Sequence, residues 1–195
     1  LHSLILDEVT FRKLEIVEMI REGGTFFTAQ MMVRDFNEQI PMVDIMYSMG
    51  TQPPGLLRLH NYPNFMMNFL GDDGKRIDLS TVDVLRDRER QIPRYNEFRR
   101  QIGMTPVETF DALVGTHLPE DESYLLAERE RDAQLLAEVY ENDVEKIDLL
   151  VGCISEYPWP DGFGFGETAF QIFILMASRR LMCDRFFTDD FTSEM

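Results

Sequence analysis

The sequence predicts an all-α fold in which long irregular connections separate the helices. Several stretches of the 195-residue chain repeat apolar side chains at helical spacing, and prolines and glycines cluster between those stretches. No stretch alternates polar and apolar residues for long enough to predict a strand, and no internal repeat is present. Hydrophobic residues make up 44% of the chain, which suffices for one packed core or for part of a larger one.

Two helices are predicted in the N-terminal part. The first covers residues 7–21, where apolar side chains recur at mixed helical spacings, and Gly23-Gly24 ends it. The second covers Thr28 to Phe36. Residues 51–64 contain three prolines and a glycine and are predicted to form an extended loop, and Asp72-Asp73-Gly74 is predicted to form a turn.

Five further helices are predicted in the rest of the chain. The clearest start is Thr105-Pro106-Val107-Glu108, which has the form of a capping box with proline at the first helical position. Asn142 to Glu145 could cap another helix, which would run through Val151. The other three cover residues 79–90, 122–140 and about 167–185, the last being the most apolar.

Composition narrows the range of partners. The formal net charge is −16, from 19 basic and 35 acidic side chains, and such a surface repels phosphate backbones, so nucleic acid is not expected as a partner. The longest apolar run, Ala169 to Ala177, is too short to cross a bilayer, so no transmembrane segment is expected. A soluble, cytoplasmic protein is favoured, and a membrane-peripheral position of the complete protein stays open. Cys153 and Cys183 are expected to be free, buried thiols.

The stretch from Asp78 to Arg99 carries the strongest local signal. By residue type alone it is a charged helix followed by a proline turn, which is typical of a solvated face with surface ion pairs. Residues 86–90 read RDRER and residues 93–100 read PRYNEFRR. This combination resembles a segment of the animal-type haem peroxidases, and it is most similar to the version found in the fatty-acid α-dioxygenases of the cyclooxygenase superfamily.

Two further stretches extend the resemblance. IDLLVG at residues 147–152 and GETAFQIFILMASRRLMCDRFF at residues 166–187 resemble late segments of the α-dioxygenases. The resemblance covers nearly the whole chain in a consistent order. It implies the C-terminal part of an animal-type haem peroxidase fold, with residues 1–195 as one partial catalytic domain on the proximal side of the haem. The expected partner is then the N-terminal half of the same enzyme, and a start at Leu1-His2 without an initiator methionine agrees with a fragment or a processed protein.

The resemblance gives a role to His2. By residue type alone, His2 would be a solvated terminal side chain. In the α-dioxygenases a motif similar to Leu1-His2-Ser3-Leu4 carries the proximal haem histidine, three residues after a tyrosine that forms a radical. The resemblance therefore implies that His2 binds the iron of haem b and that the tyrosine precedes Leu1. Imidazole suits this role because one nitrogen binds iron while the other donates a hydrogen bond.

Two side chains of the helix predicted at residues 79–90 also receive roles from the resemblance. Asp83 stands where mammalian peroxidases carry an asparagine, and it is expected to accept the second hydrogen bond of the proximal imidazole and raise its basicity. Arg86 is expected to pair with a haem propionate. Structural alternatives stay open for both: Asp83 as a surface aspartate with a local arginine, and Arg86 in an ion pair with Asp83 or Glu89.

Arg179-Arg180 ends an apolar run, and a buried cation at that place needs an anionic partner. The resemblance implies that Arg179 holds the carboxylate of a fatty acid. Ile172 and Phe173 are candidates for the lining of the acyl channel, although core packing is the simpler explanation for each. The structural alternative for the arginines is a helix C-terminus, which favours positive charge, with a bridge to Asp184.

The implied function is a haem-dependent oxygenase that adds O₂ to carbon 2 of a fatty acid, after hydrogen peroxide has oxidised the haem. The implied small-molecule partners are thus a fatty acid, O₂ and hydrogen peroxide. One rival is a haem peroxidase of small phenols or halides, which would share His2, Asp83 and Arg86 but would not need Arg179. A second rival is a catalytically inert fragment, and such a half-domain could associate with itself through an uncovered apolar face.

Overall fold

A computed structural model describes residues 8–12, 19–25, 40–70, 74–117, 123–187, 189 and 192. The chain divides into two compact units, Leu1–Arg86 and Asp87–Met195. The described residues are mainly helical, which confirms the all-α prediction, and their few strands form two small two-stranded sheets. Within these ranges, no helix is both long and apolar enough to cross a membrane.

The first unit combines two hairpins with short helices. Its β1 pairs antiparallel with β2, its β3 pairs antiparallel with β4, and α1 packs against β1. The elements are β1 (Glu8–Arg12), β2 (Met19–Thr25), α1 (Met42–Thr51), α2 (Asn64–Met67), β3 (Phe69–Leu70), β4 (Arg76–Ile77) and most of α3 (Leu79–Glu89).

The helix predicted over residues 7–21 is wrong. Glu8 pairs with Thr25 and Val9 pairs with Gly24, so one of the glycines that were predicted to end a helix is paired within β2 instead. Pairing with a second strand and packing against α1 are tertiary contacts, and the spacing of apolar residues within one segment does not report them. The second predicted helix, Thr28 to Phe36, lies outside the described residues.

The remaining predictions for the first unit agree with the structure where it describes them. No helix or strand lies between Gln52 and Pro63, as expected for the proline-rich loop. Two residues of the predicted turn at residues 72–74 lie outside the described ranges, and Gly74 has a φ of +73°, which glycine adopts readily. α3 confirms the helix predicted at residues 79–90. Its first turn is capped by Asp78, whose Oδ1 accepts the backbone N–H of Ser80 at 2.9 Å.

The second unit is helical throughout its described secondary structure. α4 packs against α7, α5 packs against α6 and α7, and α8 packs against α7. The helices are α4 (Tyr95–Gln101), α5 (Phe110–Val114), α6 (Ser123–Val139), α7 (Leu149–Ser155) and α8 (Glu167–Cys183), with 3-10 turns at Val144–Lys146 and Arg185–Phe187. α6 and α8 confirm the helices predicted at residues 122–140 and 167–185. The buried apolar core includes Tyr95, Phe110, Leu113, Val114, Leu136 and Ile147.

The helix predicted to start at the Thr105–Glu108 capping box begins later, at Phe110. Its N-cap is Thr109, whose hydroxyl accepts the Ala112 N–H at 3.0 Å. The preceding backbone is held in a non-helical form by side chains of α4. Asn96 accepts the Val107 N–H and donates to the Val107 carbonyl, both at 2.9 Å, and Arg99 donates to the Thr105 carbonyl at 2.7 Å.

The helix predicted from Asn142–Glu145 through Val151 is split in two. A 3-10 turn ends at Lys146, and α7 begins at Leu149. At the break, the Ile147 carbonyl accepts the Tyr95 backbone N–H at 2.9 Å. This bond to α4 replaces the one that a continuous helix would have made.

Gly152 allows α7 to lie directly against the fully buried Tyr95. A Cβ atom at Gly152 would lie 2.2 Å from Cδ2 of the Tyr95 ring, so a larger residue would force the two helices apart. The neighbouring Cys153 is a free, buried thiol as predicted, and burial raises its pKa to about 12. Cys183 is free but exposed, so its predicted burial is wrong.

Candidate functional site

Asp83, one of the side chains assigned to a haem site, contacts a tyrosine. It lies half-buried on α3, and its Oδ2 accepts a hydrogen bond from the Tyr62 hydroxyl at 3.2 Å. Burial raises the pKa of Tyr62, and the charge of Asp83 and the hydrogen bond to it raise this pKa further. The hydroxyl therefore stays protonated at physiological pH and acts as the donor.

Arg86 lies one turn after Asp83 on the same helix. Residues three apart share a helix face, so α3 presents a carboxylate and a guanidinium side by side. Arg86 is exposed, and within the described part of the chain it forms an ion pair with neither Asp83 nor Glu89. His2, the expected iron ligand, lies outside the described residues.

The charged stretch at residues 86–100 is not simply a solvated face. Arg88 donates to both oxygens of Asp148, at 2.9 and 2.6 Å, and Arg94 forms a second ion pair with the same carboxylate. Tyr140 adds a hydroxyl donor at 3.0 Å. Asp148 is only 3% exposed. Burial by itself raises the pKa of Asp148, but the hydrogen bonds from Arg88 and Tyr140 and the charge of Arg94 outweigh it and lower that pKa.

Arg99, in the same stretch, is the centre of a second buried network. Its Nη1 lies 2.7 Å from Oε1 of Glu156 and 2.7 Å from the Thr168 hydroxyl. The other oxygen of Glu156 accepts the Thr168 backbone N–H at 2.9 Å, in the first turn of α8. A Cβ at Gly166 would lie 2.7 Å from Glu156, so glycine is needed for this close approach. Burial raises the pKa of Glu156, and the bonds from Thr168 and the charge of Arg99 oppose that rise.

The Arg99 network fixes the start of α8, because a carboxylate at a helix N-terminus satisfies an N–H group and suits the helix dipole. No sequence motif indicates Glu156 and Thr168 as the partners of Arg99. The only signal was the position of Arg99 inside the stretch that carries the resemblance. Nothing in the order of residues indicated which acidic group, 57 positions later, would meet it.

α8 carries the side chains assigned to the substrate. Ile172 is half-buried, and Phe173 is 55% exposed and meets the Phe165 ring edge-on at 6.3 Å. Arg179 and Arg180 are both exposed. At 3.6 residues per turn, residues seven apart lie on one face, so Ile172 is aligned with Arg179 about 10 Å away, and Phe173 is aligned with Arg180.

The structural alternative for these arginines, a bridge to Asp184, is not formed among the described residues. Asp184 instead accepts the backbone N–H of Phe186 at 3.0 Å. The structure thus groups the assigned residues into two sets. Asp83 and Arg86 share α3 in the first unit, whereas Ile172, Phe173 and Arg179 share α8 in the second unit.

One protein family matches this chain over its entire length, and a curated relative matches three quarters of it. The family described as animal haem peroxidase matches residues 1–195. The alpha-dioxygenase PIOX of Oryza sativa subsp. japonica is 46% identical over 154 residues, which are 75% of this chain. The chain spans only 22% of the length of that relative.

Solved structures give the same relationship. The crystal structure of Arabidopsis thaliana fatty acid alpha-dioxygenase matches with a TM-score of 0.77 and 32% identity, covering 100% of this chain and 30% of that one. A variant of the Oryza sativa fatty acid alpha-dioxygenase, crystallised with palmitic acid, also gives a TM-score of 0.77. Its identity is 36%, and the match covers 99% of this chain and 32% of that one.

Proposed function

Because the chain belongs to the animal haem peroxidase family, we propose that it forms the C-terminal part of a haem-dependent fatty-acid α-dioxygenase. The complete enzyme joins one O₂ to carbon 2 of a fatty acid, and the carbon–hydrogen bond at that position becomes a carbon–hydroperoxide. The observation that carries the proposal is the 46% identity with an alpha-dioxygenase over three quarters of the chain. Family membership implies haem, and we assign it as haem b.

The residue types of the first unit fit a haem. The His2 imidazole would bind the iron, Asp83 would accept the second imidazole N–H, and Arg86 would pair with a propionate. The exposure of Arg86, which has no ion pair in the described residues, leaves its guanidinium accessible to an anionic partner. When bound, the haem supplies the oxidising power with which hydrogen abstraction from the fatty acid begins.

Asp83 acts on the iron ligand and not on the substrate. A carboxylate that accepts the imidazole N–H fixes the orientation of the ring and increases its basicity. This would stabilise the higher oxidation states of the iron. Asp83 is half-buried, so its charge is less screened than that of a surface aspartate.

Arg179 would bind the fatty-acid carboxylate. A guanidinium can meet both carboxylate oxygens, and carbon 2 is bonded directly to that carboxylate. Fixing the carboxylate therefore fixes the carbon that reacts, which is how a binding residue sets the position of oxygenation. Ile172 lies on the same face of α8, two turns earlier, where the acyl chain would pass. Phe173 would border this face together with the aromatic ring of Phe165.

The main protein partner is the N-terminal part of the same enzyme, with which residues 1–195 would form one catalytic domain. Several large apolar side chains of α8 are exposed in the present chain, and covering them would bury apolar surface. They include Phe173, Leu175, Met176, Leu181 and Met182.

The proposal is tested on the complete enzyme with palmitic acid under isotopically labelled O₂. The expected product is a 2-hydroperoxide in which both oxygen atoms of the hydroperoxide carry the label. A peroxidase of small phenols is the second candidate, because it would use the same residue types at His2, Asp83 and Arg86. Phenol oxidation by hydrogen peroxide without any oxygenated fatty acid would establish that candidate instead.

A further inference from the structure

We infer that Tyr62 is a positioning residue that tunes the proximal haem ligand through Asp83. The inference rests on the proposed function, because it requires Asp83 to accept the hydrogen bond of the His2 imidazole. None of the sequence motifs includes Tyr62. Its hydroxyl nevertheless donates to the carboxylate of Asp83 across 21 positions of sequence, at 3.2 Å.

The loop around Tyr62 is held on both sides. Before it, the side chain of Asn61 donates to the Leu56 carbonyl at 2.8 Å. After it, Pro63 is fully buried, and the Pro63 carbonyl accepts the Met66 N–H at 3.0 Å as α2 begins. The hydroxyl is therefore held in place by its neighbours and is not at the end of a freely moving loop.

Asp83 is positioned independently, by the helix that carries it. The Asp78 cap satisfies N–H groups in the first turn of α3, and Asp83 follows in the next turn. Two separately anchored segments thus bring one donor and one acceptor together. Because Tyr62 holds Oδ2, it also restricts the rotation of the carboxylate and so the direction of Oδ1.

A hydroxyl donor weakens the carboxylate as an acceptor for the imidazole. Asp83 then accepts a weaker hydrogen bond from the His2 N–H, so the imidazole is less basic. A less basic imidazole stabilises the ferric state of the iron less strongly. The distance of 3.2 Å is longer than the usual 2.7–2.8 Å for a hydroxyl donor, so the effect should be smaller than that of Asp83 itself. The raised pKa of Tyr62 keeps the proton available for donation.

The test compares Tyr62→Phe, Asp83→Asn and the double variant in the complete haem enzyme. The measurements are the Fe(III)/Fe(II) midpoint potential and the iron–histidine stretching frequency of the ferrous protein. Tyr62→Phe should lower the potential and raise the frequency, because the carboxylate becomes a stronger acceptor. Asp83→Asn should raise the potential by a larger amount, and adding Tyr62→Phe to it should cause no further change.

Two controls separate this effect from a general disturbance of the fold. Tyr140→Phe removes a comparable tyrosine–aspartate bond, that to Asp148 at 3.0 Å, and should leave the potential unchanged. A 3-fluorotyrosine at position 62 keeps the ring and strengthens the donor, so it should raise the potential. This second variant tests the inference even if Tyr62→Phe fails to bind haem.

The possible results separate a failure of the role of Tyr62 from a failure of the proposed role of Asp83. If Asp83→Asn shifts the potential but neither change at Tyr62 does, the role of Tyr62 is overturned and that of Asp83 remains. Equal shifts from Tyr62→Phe in the presence and absence of Asp83 would also overturn it, since the effect would not pass through the carboxylate. If Asp83→Asn has no effect, the proposed role of Asp83 fails, and the inference fails with it.

Discussion

Arg99 and Glu156 form a buried ion pair that attaches the start of α8 to α4. Their Nη1 and Oε1 atoms lie 2.7 Å apart, and each side chain is 8% exposed. Thr168 joins the pair through its hydroxyl and its backbone N–H, so the first turn of α8 is bonded to both charges. Arg179 lies further along the same helix, and its position therefore depends on this anchor.

We expect Arg99→Met to destabilise the complete enzyme by about 3–5 kcal/mol, because removing one member of a buried pair leaves the other charge without compensation. Urea unfolding measures the change. Arg100→Met is the matched control, since its pair with Glu145 is 43% and 49% exposed, and solvent screening should make its contribution to stability much smaller. Similar losses from the two variants would contradict a special role for the buried pair.

Asp148 should make the stability depend on pH in acid. Its pKa is lower in the folded protein, so its contribution is present above the unfolded pKa of about 4 and is lost as the pH falls through the folded pKa. Asp148→Asn should reduce stability near neutral pH by about 1.5–3 kcal/mol and flatten the decline below about pH 4. Urea midpoints measured across this range check the prediction. Asp161→Asn, at an exposed position, is the control. An unchanged decline of stability with falling pH in Asp148→Asn would refute the role of Asp148.

Replacing His2 by Ala should abolish the Soret band of the complete enzyme reconstituted with haem, because the iron would lose its protein ligand. His117→Ala, at an exposed position, should leave the band intact. The absorption spectrum after reconstitution provides the measurement. Normal spectra and activity in the His2 variant would remove His2 from the site.

Arg179→Ala should raise the fatty-acid KM of the complete enzyme about tenfold to a hundredfold, since a charge-assisted hydrogen bond contributes roughly 1.5–3 kcal/mol. Haem content and phenol oxidation should change little, because neither requires a carboxylate anchor. Arg180→Ala is the control, because 3.6 residues per turn place it about 100° around α8 from the line that Ile172 and Arg179 share. If Arg179→Ala reduced fatty-acid oxygenation and phenol oxidation equally, the role of Arg179 would be structural. If Arg180→Ala selectively reduced fatty-acid oxygenation, Arg180 would be the residue that binds the carboxylate.

The 195-residue chain expressed alone should associate with itself, because α8 leaves large apolar side chains exposed. Phe173 is 55% exposed and Met182 is 78% exposed. Light scattering should detect oligomers, and Phe173→Glu combined with Met182→Glu should reduce their size. A monomer with a sharp thermal transition would show instead that the chain is a self-sufficient domain.

The order of amino acids alone was enough to predict the long helices and the family to which the chain belongs. α3, α6 and α8 follow the predicted segments because helical hydrogen bonds join residues four apart, and the spacing of side chains in one segment reports them. The matches at residues 86–100 and 166–187 likewise sufficed for the resemblance to the haem peroxidases. These properties are local, so they can be read along the chain.

Tertiary structure alone decided the pairings between distant segments. β1 and β2 form a hairpin where a helix was predicted, since strand pairing and contact with α1 outweigh the local pattern. By residue type alone, the arginines of the charged stretch are typical of a solvated face, yet Arg88 meets Asp148 across 60 positions and Arg99 meets Glu156 across 57. A buried charge must find its partner wherever the packed helices place one, and only the folded chain determines which carboxylate that is.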